Sequence, residues 1–240
     1  AFAVSHRANA SVEAITNYLD SYAGLLLESE ITSLSFLLGN PQQPFVVIIG
    51  GAKIKDKAYV IKHLAEKADR ILIGGAVAST FLKAKGENVG KSLIEDEMIP
   101  ECKKMLLDYS EKIVLPVDTV KEERETTDEF IIYDIGKNTQ ELFAHEISNA
   151  KSVFWNGNMG YTEDEKYVAG TRAVAMAMKE NHTTTVVAGG DTVNFINMYN
   201  LKDGFSFVST GGGAAMEFMA GQKLPGIEAL NRTSSEITNY

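Results

Sequence analysis

Short apolar and β-branched runs alternate with stretches of helical periodicity along most of the chain. Between these runs, apolar residues recur at three- and four-residue spacing, as at Val174, Ala175 and Met178. This alternation predicts an α/β fold, with a doubly wound, mostly parallel sheet flanked by helices in a Rossmann-like three-layer arrangement. The runs are Phe45–Ile49, Ile71–Ile73, Lys112–Leu115, Phe130–Tyr133, Ser152–Trp155, Thr184–Val187 and Phe205–Val208.

Two segments fall outside this alternation. Ala23–Leu38 has the pattern of a long apolar helix, and it is followed by Gly39 and Pro41, a combination that typically ends a helix. We interpret it as a connecting helix that packs against something outside the sheet domain. The segment Lys121–Asp128 is charged and lacks periodicity, so it is predicted to be a solvated loop.

The composition is that of an acidic protein. A formal net charge of −9 disfavours long-range attraction to nucleic acid or an anionic membrane, so any phosphate must be held by local groups. The apolar runs are far shorter than the ~20 residues that a membrane-spanning helix needs. Because Cys102 is the only cysteine and no signal-sequence pattern is found, we expect a reducing, cytoplasmic location. Cys102 itself is predicted to be a structural thiol.

Glycines cluster directly after five of the predicted strands. In an open parallel sheet these turns all lie along the carboxyl edge, which is where ligands bind. A tight turn explains any single pair. Five such turns on one edge indicate close approach of the backbone to a ligand, with N–H groups suited to phosphate oxygens. The clusters are Gly50–Gly51, Gly74–Gly75, Gly157 with Gly160, Gly189–Gly190 and Gly211–Gly213.

Two common nucleotide-binding motifs are absent. The first strand is followed by GGAKIKDK rather than GxGxxG, so a nicotinamide oxidoreductase loses its main sequence support. No GxxxxGK(S/T) motif occurs, which excludes a P-loop. No nucleophile triad, metal-ligand cluster or general base is visible either. An acceptor carboxylate with a pKa of about 4 needs no base at neutral pH, so phosphoryl transfer by positioning and charge neutralisation is predicted.

Lys53 and Lys57 are four residues apart at the predicted start of the helix that follows the first strand, so they are predicted to share one face of that helix. Like charges at this spacing disfavour a helix slightly, and cations oppose the helix dipole at its N-terminus. A bound anion would relieve both costs. Two solvated surface lysines are the simpler alternative, but the glycines directly before them favour contact with phosphate.

Two further strand ends carry candidate groups. Asp191 and Thr192 follow Gly189–Gly190, a position from which a carboxylate could hold Mg²⁺ on a nucleotide. Capping of a helix N-terminus is a compatible alternative for both residues. Gly211–Gly213 open an Ala- and Met-rich helix and form a candidate nest of N–H donors for the moving phosphoryl group. The single tryptophan, Trp155, is predicted to be a core residue.

Nine segments appear in the order and spacing seen in phosphoglycerate kinases, which the chain resembles from Ala1 to about Arg232. The resemblance implies reversible phosphoryl transfer between MgATP and the carboxylate of 3-phosphoglycerate, giving 1,3-bisphosphoglycerate in glycolysis. The segments are SHRANAS, PFVVIIGGAKIKDK, ILIGGAVASTFLKA, GKSL, LPVD, WNGNMGYTE, AGGDT, STGGGAAMEF and LPGIEAL.

The resemblance also implies a domain organisation. Residues 1–22 correspond to a remnant of the N-terminal substrate domain, 23–39 to an interdomain helix, 40–232 to the nucleotide-binding domain and 233–240 to a C-terminal tail. Most of the N-terminal domain is expected to be absent, so the chain is expected to be inactive alone. A full-length protein is expected to be a monomer with no nucleic-acid or membrane partner.

By resemblance, the cofactors are ATP or ADP with Mg²⁺. Glu163 is placed to accept ribose hydroxyls, Asp191 to hold the metal through the nucleotide, and Arg7 to bind phosphoglycerate. The catalytic residues implied are Lys53, Lys57, Gly190, Gly212 and Gly213. The nucleotide-binding residues implied are Gly51, Ala52, Lys53, Lys57, Gly75, Asn156, Gly160, Glu163, Gly189, Gly190, Asp191 and Thr192.

The chain departs from the family pattern near the expected adenine pocket. Ile132 and Tyr133 stand where the family usually has Gly-Leu, so a reshaped pocket is predicted. Other departures are Ala76 and Ala188 for glycines, Asn158 for a proline and Asn9 for a histidine. A non-catalytic nucleotide-binding relic or regulatory module is the main alternative to a kinase, although the presence of both lysines with Asp191 and Glu163 weighs against it.

Overall fold

The computed structural model describes residues 1–123 and 129–236, in which strands and helices alternate over most of the chain. The helices and strands are α1 (Leu25–Gly39), β1 (Phe45–Ile49), α2 (Ala58–Ala65), β2 (Arg70–Ile73), α3 (Gly75–Lys85), α4 (Ile99–Asp108), β3 (Ile113–Val114), β4 (Thr119–Glu123), β5 (Phe130–Ile135), α5 (Lys137–Ser148), β6 (Ser152–Asn156), α6 (Ala169–Glu180), β7 (Thr184–Ala188), α7 (Gly190–Met198), β8 (Phe207–Val208), α8 (Gly212–Met219) and α9 (Pro225–Glu236). Short 3₁₀ helices lie at Phe2–Val4, Ala14–Asn17, Asp96–Met98, Glu165–Tyr167 and Lys202–Gly204.

Six strands form one parallel sheet in the order β3-β2-β1-β6-β7-β8. The chain builds outward from β1 to β3 on one side and from β6 to β8 on the other. In β1, Phe45 lies opposite Ser152 of β6, and Val46 lies opposite Arg70 of β2. The strand order therefore reverses between β1 and β6. This reversal opens a crevice at the carboxyl edge, where doubly wound sheets bind their ligands.

Strand β1 is buried on both faces, as expected for a parallel sheet covered by helices. Phe45, Val47 and Ile49 belong to one hydrophobic cluster, which includes residues of α1, α2, α3, α4 and α8. Val46 and Ile48 belong to a second cluster, which includes residues of α5, α6 and α7. Helices thus cover both faces of the sheet, and the predicted three-layer α/β fold is confirmed.

The predicted connecting helix is α1. Leu34 and Leu37 are completely buried against the sheet domain, whereas Leu25 and Leu26 in its first turn are 85% and 60% exposed. Exposed apolar surface is expected of a helix that contacts something outside the sheet domain. At the other end of the chain, α9 continues to Glu236, and residues 237–240 lie outside the described part.

The structure corrects two details around β4 and β5. The Phe130–Tyr133 run is a strand, but it pairs with β4 in a separate antiparallel ribbon rather than joining the main sheet. The loop predicted at Lys121–Asp128 is wrong for Lys121–Glu123, which belong to β4. A two-stranded ribbon tolerates charged residues because it is open to solvent, and the Lys121 ammonium lies 4.2 Å from the centre of the Phe130 ring. Residues 124–128 lie outside the described residues.

Cys102 lies in α4 and is completely buried. Burial, reinforced by the charge of Glu101, raises the pKa of the thiol to about 12, so the thiol is protonated at neutral pH. This agrees with the predicted structural role. In the described part of the chain, no helix is both long enough and apolar enough to cross a membrane.

Candidate active site

The glycine-rich turns after β1, β2, β6, β7 and β8 lie along one edge, because all five strands run in the same direction in one sheet. Backbone hydrogen bonds fasten three of these turns to one another. The Gly51 N–H donates to the Asn158 carbonyl at 2.7 Å, and the Gly75 N–H donates to the Met159 carbonyl at 2.9 Å. The Val77 N–H donates back to the Gly51 carbonyl at 3.1 Å.

Gly75 shows why a side chain cannot be accommodated at this junction. Its φ of +62° is a conformation that L-residues rarely adopt, and an added Cβ would lie 2.5 Å from the Gly51 nitrogen. The glycine therefore allows two turns to pack directly on each other. The turns after β1, β2 and β6 thus form one interlocked edge rather than three independent loops.

A cavity of about 600 Å³ opens at this edge and is called here the lysine cavity. It brings together Lys53, Lys57, Asp191 and Gly212, which are separated by up to 159 positions in sequence. The sequence-based interpretation requires these four residues to lie close together, and all four line this cavity. The lining residues are Gly51, Ala52, Lys53, Asp56, Lys57, Tyr59, Val60, Asn156, Gly157, Gly189, Gly190, Asp191, Thr192, Gly212, Gly213, Met216, Glu217, Ala220 and Gln222.

The Lys57 ammonium is the buried cation of this cavity. Burial lowers the pKa of Lys57 to about 8, although the negative charges of Asp191 and Asp56 partly offset the effect. The ammonium donates a hydrogen bond to the Gly50 carbonyl. A phosphate group would supply the additional negative charge that favours its protonated form. Lys53 is exposed, so the two lysines reach the cavity from different depths.

Lys53 and Lys57 do not share a helix face, contrary to the prediction from their spacing. Helix α2 begins at Ala58, so Lys57 is its N-cap residue and Lys53 lies in the preceding loop. The loop, rather than helical spacing, brings the two side chains to one cavity. We call residues Ala52–Lys57 the lysine loop.

Helices α7 and α8 begin side by side at the lysine cavity. Helix α7 starts at Gly190 and α8 starts at Gly212. A Cβ on Gly212 would lie only 3.4 Å from the Gly190 nitrogen, so the two N-termini are adjacent. The unpaired N–H groups and positive dipole ends of two helices at one point favour an anion.

A second cavity of about 290 Å³, called here the apolar cavity, adjoins the first. Gly51, Ala52 and Asp191 line both cavities, so they form the junction. Tyr133 in β5 stacks on Tyr167 with ring centres 4.5 Å apart and an interplanar angle of 12°. The other lining residues are Gly75, Ala76, Ala78, Ser79, Leu82, Leu93, Pro116, Thr119, Ile131, Ile132, Asp134, Ile135, Asn158, Met159, Gly160, Tyr161 and Glu163. Its largely apolar, aromatic lining suits a flat heterocycle.

Asp134 is a buried carboxyl group in the apolar cavity that the sequence analysis did not single out. It accepts hydrogen bonds from the Gly170 and Ile135 N–H groups, both at 2.8 Å. Burial raises the pKa of Asp134 to about 6, because these two bonds only partly offset the loss of solvent. Gly160 packs directly against this carboxyl group. Close packing is thus a second reason, besides the nucleotide contact expected there, for a glycine at position 160.

Asn156 and Thr192 line the lysine cavity, where the amide nitrogen of Asn156 and the hydroxyl of Thr192 each have a protein partner. The Asn156 amide donates to the Ala188 carbonyl at 3.0 Å. The Thr192 hydroxyl, which is completely buried, accepts from the Gly157 N–H at 2.8 Å. These bonds tie the turn after β6 to the start of α7. Glu163, by contrast, is exposed at the rim of the apolar cavity.

Arg7 is exposed and does not line either cavity. Its Nε atom lies 3.4 Å from Nε2 of His6. That histidine lies against the start of α8, since a Cβ on Gly213 would be 3.2 Å from the same nitrogen. Phe2 is buried in the main core, so this first strip of chain packs on the sheet domain. The substrate role of Arg7 and the boundary at residue 22 stay predictions.

Two carboxylates that hold the site were missed in the sequence. Glu30 in α1 is completely buried and accepts hydrogen bonds from the N–H and hydroxyl of Thr210, at 2.7 and 2.6 Å. Its position between Leu27 and Leu34 on one helix face was a usable signal. Glu95 accepts from the N–H groups of the lysine loop. No local pattern indicates this contact, because its partners are about 40 residues away.

Comparison with known proteins gives a consistent result. The family model for phosphoglycerate kinase matches residues 1–222. The phosphoglycerate kinases of Desulfosudis oleivorans and Thermosipho africanus are 45% and 46% identical to this chain. These alignments cover 97% and 96% of this chain but only 63% and 62% of the two relatives. The chain therefore spans less than two thirds of the length of these relatives.

Two solved structures have the same fold over nearly the whole chain. The phosphoglycerate kinase from Coxiella burnetii is 37% identical with a TM-score of 0.89, over 96% of this chain and 64% of its own. The enzyme from Pyrococcus horikoshii OT3 is 30% identical with a TM-score of 0.90, over 98% and 63%. With the family model matching residues 1–222 of 240, the chain belongs to the phosphoglycerate kinase family.

Proposed function

We propose that this chain is the nucleotide-binding part of a phosphoglycerate kinase. The whole enzyme would transfer the γ-phosphoryl group of MgATP reversibly to the carboxylate of 3-phosphoglycerate. The observation that carries the proposal is the convergence of Lys53, Lys57, Asp191 and the start of α8 on one cavity. That cavity adjoins a second, largely apolar one, as a nucleotide with a polar and an apolar end requires.

The chemistry of the two cavities fits MgATP or MgADP. The purine fits the apolar cavity beside Ile132 and Tyr133, with Glu163 at its rim for the ribose. The phosphates fit the lysine cavity, where two ammonium groups and two helix N-termini supply positive charge. Asp191 lines both cavities and offers an oxygen ligand to Mg²⁺ on the phosphates.

The proposed reaction needs little from the protein beyond placement and charge. The acceptor carboxylate is ionised at neutral pH, so no general base has to remove a proton. Lys53, Lys57 and the N–H groups of Gly212 and Gly213 would bind the phosphoryl oxygens and lower their mutual repulsion. We place 3-phosphoglycerate on the side of Arg7, in a cytoplasmic enzyme that is monomeric at full length.

We expect this 240-residue chain to bind MgADP saturably and to show no measurable turnover. Binding follows from the two cavities, whereas turnover also needs cationic groups on the 3-phosphoglycerate side, each worth ~10³–10⁵ in rate in comparable phosphoryl-transfer sites. Isothermal titration calorimetry tests binding, and a coupled assay with 3-phosphoglycerate and MgATP tests turnover. Normal turnover by this chain would refute the expectation of inactivity. No binding at about 5 mM MgADP would mean a dissociation free energy below about 3 kcal/mol. That result would favour the alternative of a non-catalytic relic.

Binding of MgADP should be accompanied by proton uptake at alkaline pH. The pKa of Lys57 is about 8 without ligand, and a phosphate beside it raises that pKa, so the complex holds a proton that the free chain has partly lost. We expect uptake of up to about one proton near pH 9 and almost none near pH 7. Calorimetry in two buffers of different ionisation enthalpy measures the uptake. Uptake that is equal at the two pH values, or that persists after Lys57→Met, contradicts this assignment.

A further inference from the structure

The lysine loop is held by a carboxylate from a different part of the chain. The Oε2 atom of Glu95 accepts hydrogen bonds from the N–H groups of Ile54 and Lys55, at 2.5 and 3.1 Å. These two residues lie between Lys53 and Lys57 in sequence. Hydrogen bonds from an N–H to a carboxylate are stronger than those to a neutral acceptor. One carboxylate oxygen thus fixes the backbone between the two cations of the lysine cavity.

Glu95 is itself attached to the helix that begins at the apolar cavity. Its N–H donates to the hydroxyl of Thr80 at 3.2 Å, and Thr80 is a buried residue of α3. Glu95 also caps the short 3₁₀ helix at Asp96–Met98, where its carbonyl accepts from the Met98 N–H at 2.9 Å. The carboxylate is therefore anchored from its own backbone.

The residues just before Glu95 are bonded to the strand that lines the apolar cavity. The Lys91 N–H donates to the Phe130 carbonyl, and the Ser92 hydroxyl accepts from the Ile132 N–H, both at 2.8 Å. The segment Lys91–Glu95 therefore connects β5 beside the apolar cavity with the lysine loop beside the other cavity. We call it the bridging segment.

We propose that Glu95 is a positioning residue, which holds the lysine loop so that Lys53 and Lys57 face the same polyphosphate. The inference depends on the proposed nucleotide-binding function and adds a residue that touches no ligand. The negative charge of Glu95 and its hydrogen bonds to the lysine loop have opposite effects on phosphate binding. A nearby negative charge repels phosphate, so charge alone predicts that removing it strengthens binding. A positioning role predicts that binding weakens, because an unrestrained loop must be ordered when the phosphate binds.

The opposite signs of these two effects make Glu95→Gln a decisive variant. The substitution keeps the shape of the side chain, removes the charge and weakens both bonds to the loop. We expect about a tenfold loss of affinity for MgADP, with less than about a twofold change for adenosine, which lacks phosphates. Glu97→Gln is the matched control: it removes the same charge two residues away, where Glu97 is exposed and paired with Lys55. The control should bind MgADP as tightly as the unmodified chain or slightly more tightly.

Thr80→Val provides a second test if Glu95→Gln does not fold. Valine has a similar shape but lacks the hydroxyl that receives the Glu95 N–H, so the carboxylate is less well fixed. The expected loss is about two- to threefold for MgADP and again smaller for adenosine. Calorimetry measures both ligands, and thermal unfolding shows that each variant is folded.

Three results would overturn the inference. Glu95→Gln could bind MgADP as tightly as the unmodified chain or more tightly, which would leave only the effect of charge. It could lose affinity for MgADP and adenosine equally, which would indicate a general structural role. If the unmodified chain binds no MgADP, the proposed function itself fails, and the positioning role fails with it.

Discussion

Replacing Lys57 with methionine is expected to weaken MgADP binding about 100-fold, because the substitution removes a charge-assisted contact made by a partly buried ammonium group. The side chain is long enough to reach the Gly50 carbonyl, and burial lowers the pKa of its ammonium to about 8. Because the ammonium group has lost part of its solvent, it makes a strong contact with a ligand whose negative charge offsets that loss. Adenosine should bind both proteins equally, since it lacks the phosphates.

Lys55→Met is the matched control for this substitution. Lys55 lies in the same loop, carries the same charge and is largely exposed in a salt bridge with Glu97. Its loss should change MgADP affinity less than about threefold, as is typical of exposed charges. Calorimetry with MgADP and adenosine compares the three proteins. Similar losses in the two variants would reduce the role of Lys57 to net charge, and an unchanged affinity in Lys57→Met would contradict its assignment.

The Lys57→Met variant is also expected to differ from the unmodified chain in how its stability depends on pH. Because the pKa of Lys57 is lower in the folded chain than in the unfolded chain, the folded state binds fewer protons between about pH 8 and pH 10.5. The free energy of unfolding of the unmodified chain should therefore rise relative to that of Lys57→Met as the pH increases through this range. Well below pH 8, near pH 7 and lower, the difference should be constant.

The layered fold could be predicted from sequence because its signals are local. Runs such as Phe45–Ile49 are short, apolar and rich in β-branched residues, which favours buried strands, and the stretches between them carry helical periodicity. All strands of a parallel sheet run in the same direction, so every glycine turn that follows a strand is predicted to lie at the carboxyl edge. Lys53, Asp191 and Gly212 could be placed at one edge of the sheet without knowing the strand order.

What could not be predicted depends on contacts between distant residues. The Lys121–Glu123 segment has the composition of a loop, and only its pairing with β5 makes it a strand. The hydrogen bonds from the Ile54 and Lys55 N–H groups to Glu95 join residues about 40 positions apart, and no periodic pattern in the sequence indicates them. The lysines converge through the shape of a loop, whereas the sequence offered only a four-residue spacing on an assumed helix.

Gly157→Ala is expected to destabilise the fold by about 3 kcal/mol or more and to abolish measurable MgADP binding. Gly157 has a φ of +93°, and an added Cβ would overlap the Gly50 carbonyl and lie 2.6 Å from the Lys57 ammonium. The residue cannot move away, because its N–H donates to Thr192 and its carbonyl accepts from the Trp155 indole, both at 2.8 Å. Strain and displacement of Lys57 therefore act together.

Gly39→Ala separates these effects from the general cost of replacing a glycine. Gly39 ends α1 with an ordinary φ, and an added methyl group there would meet no heavy atom within 4 Å beyond its chain neighbours and its own helix. Alanine at this position should change the free energy of unfolding by less than about 1 kcal/mol, in the stabilising direction, and leave MgADP affinity unaltered. Urea unfolding and calorimetry measure both properties. If Gly157→Ala matched this control in stability and affinity, the turn after β6 would not be part of the nucleotide site, because a methyl group could then occupy the space between Gly50 and Lys57 at no cost.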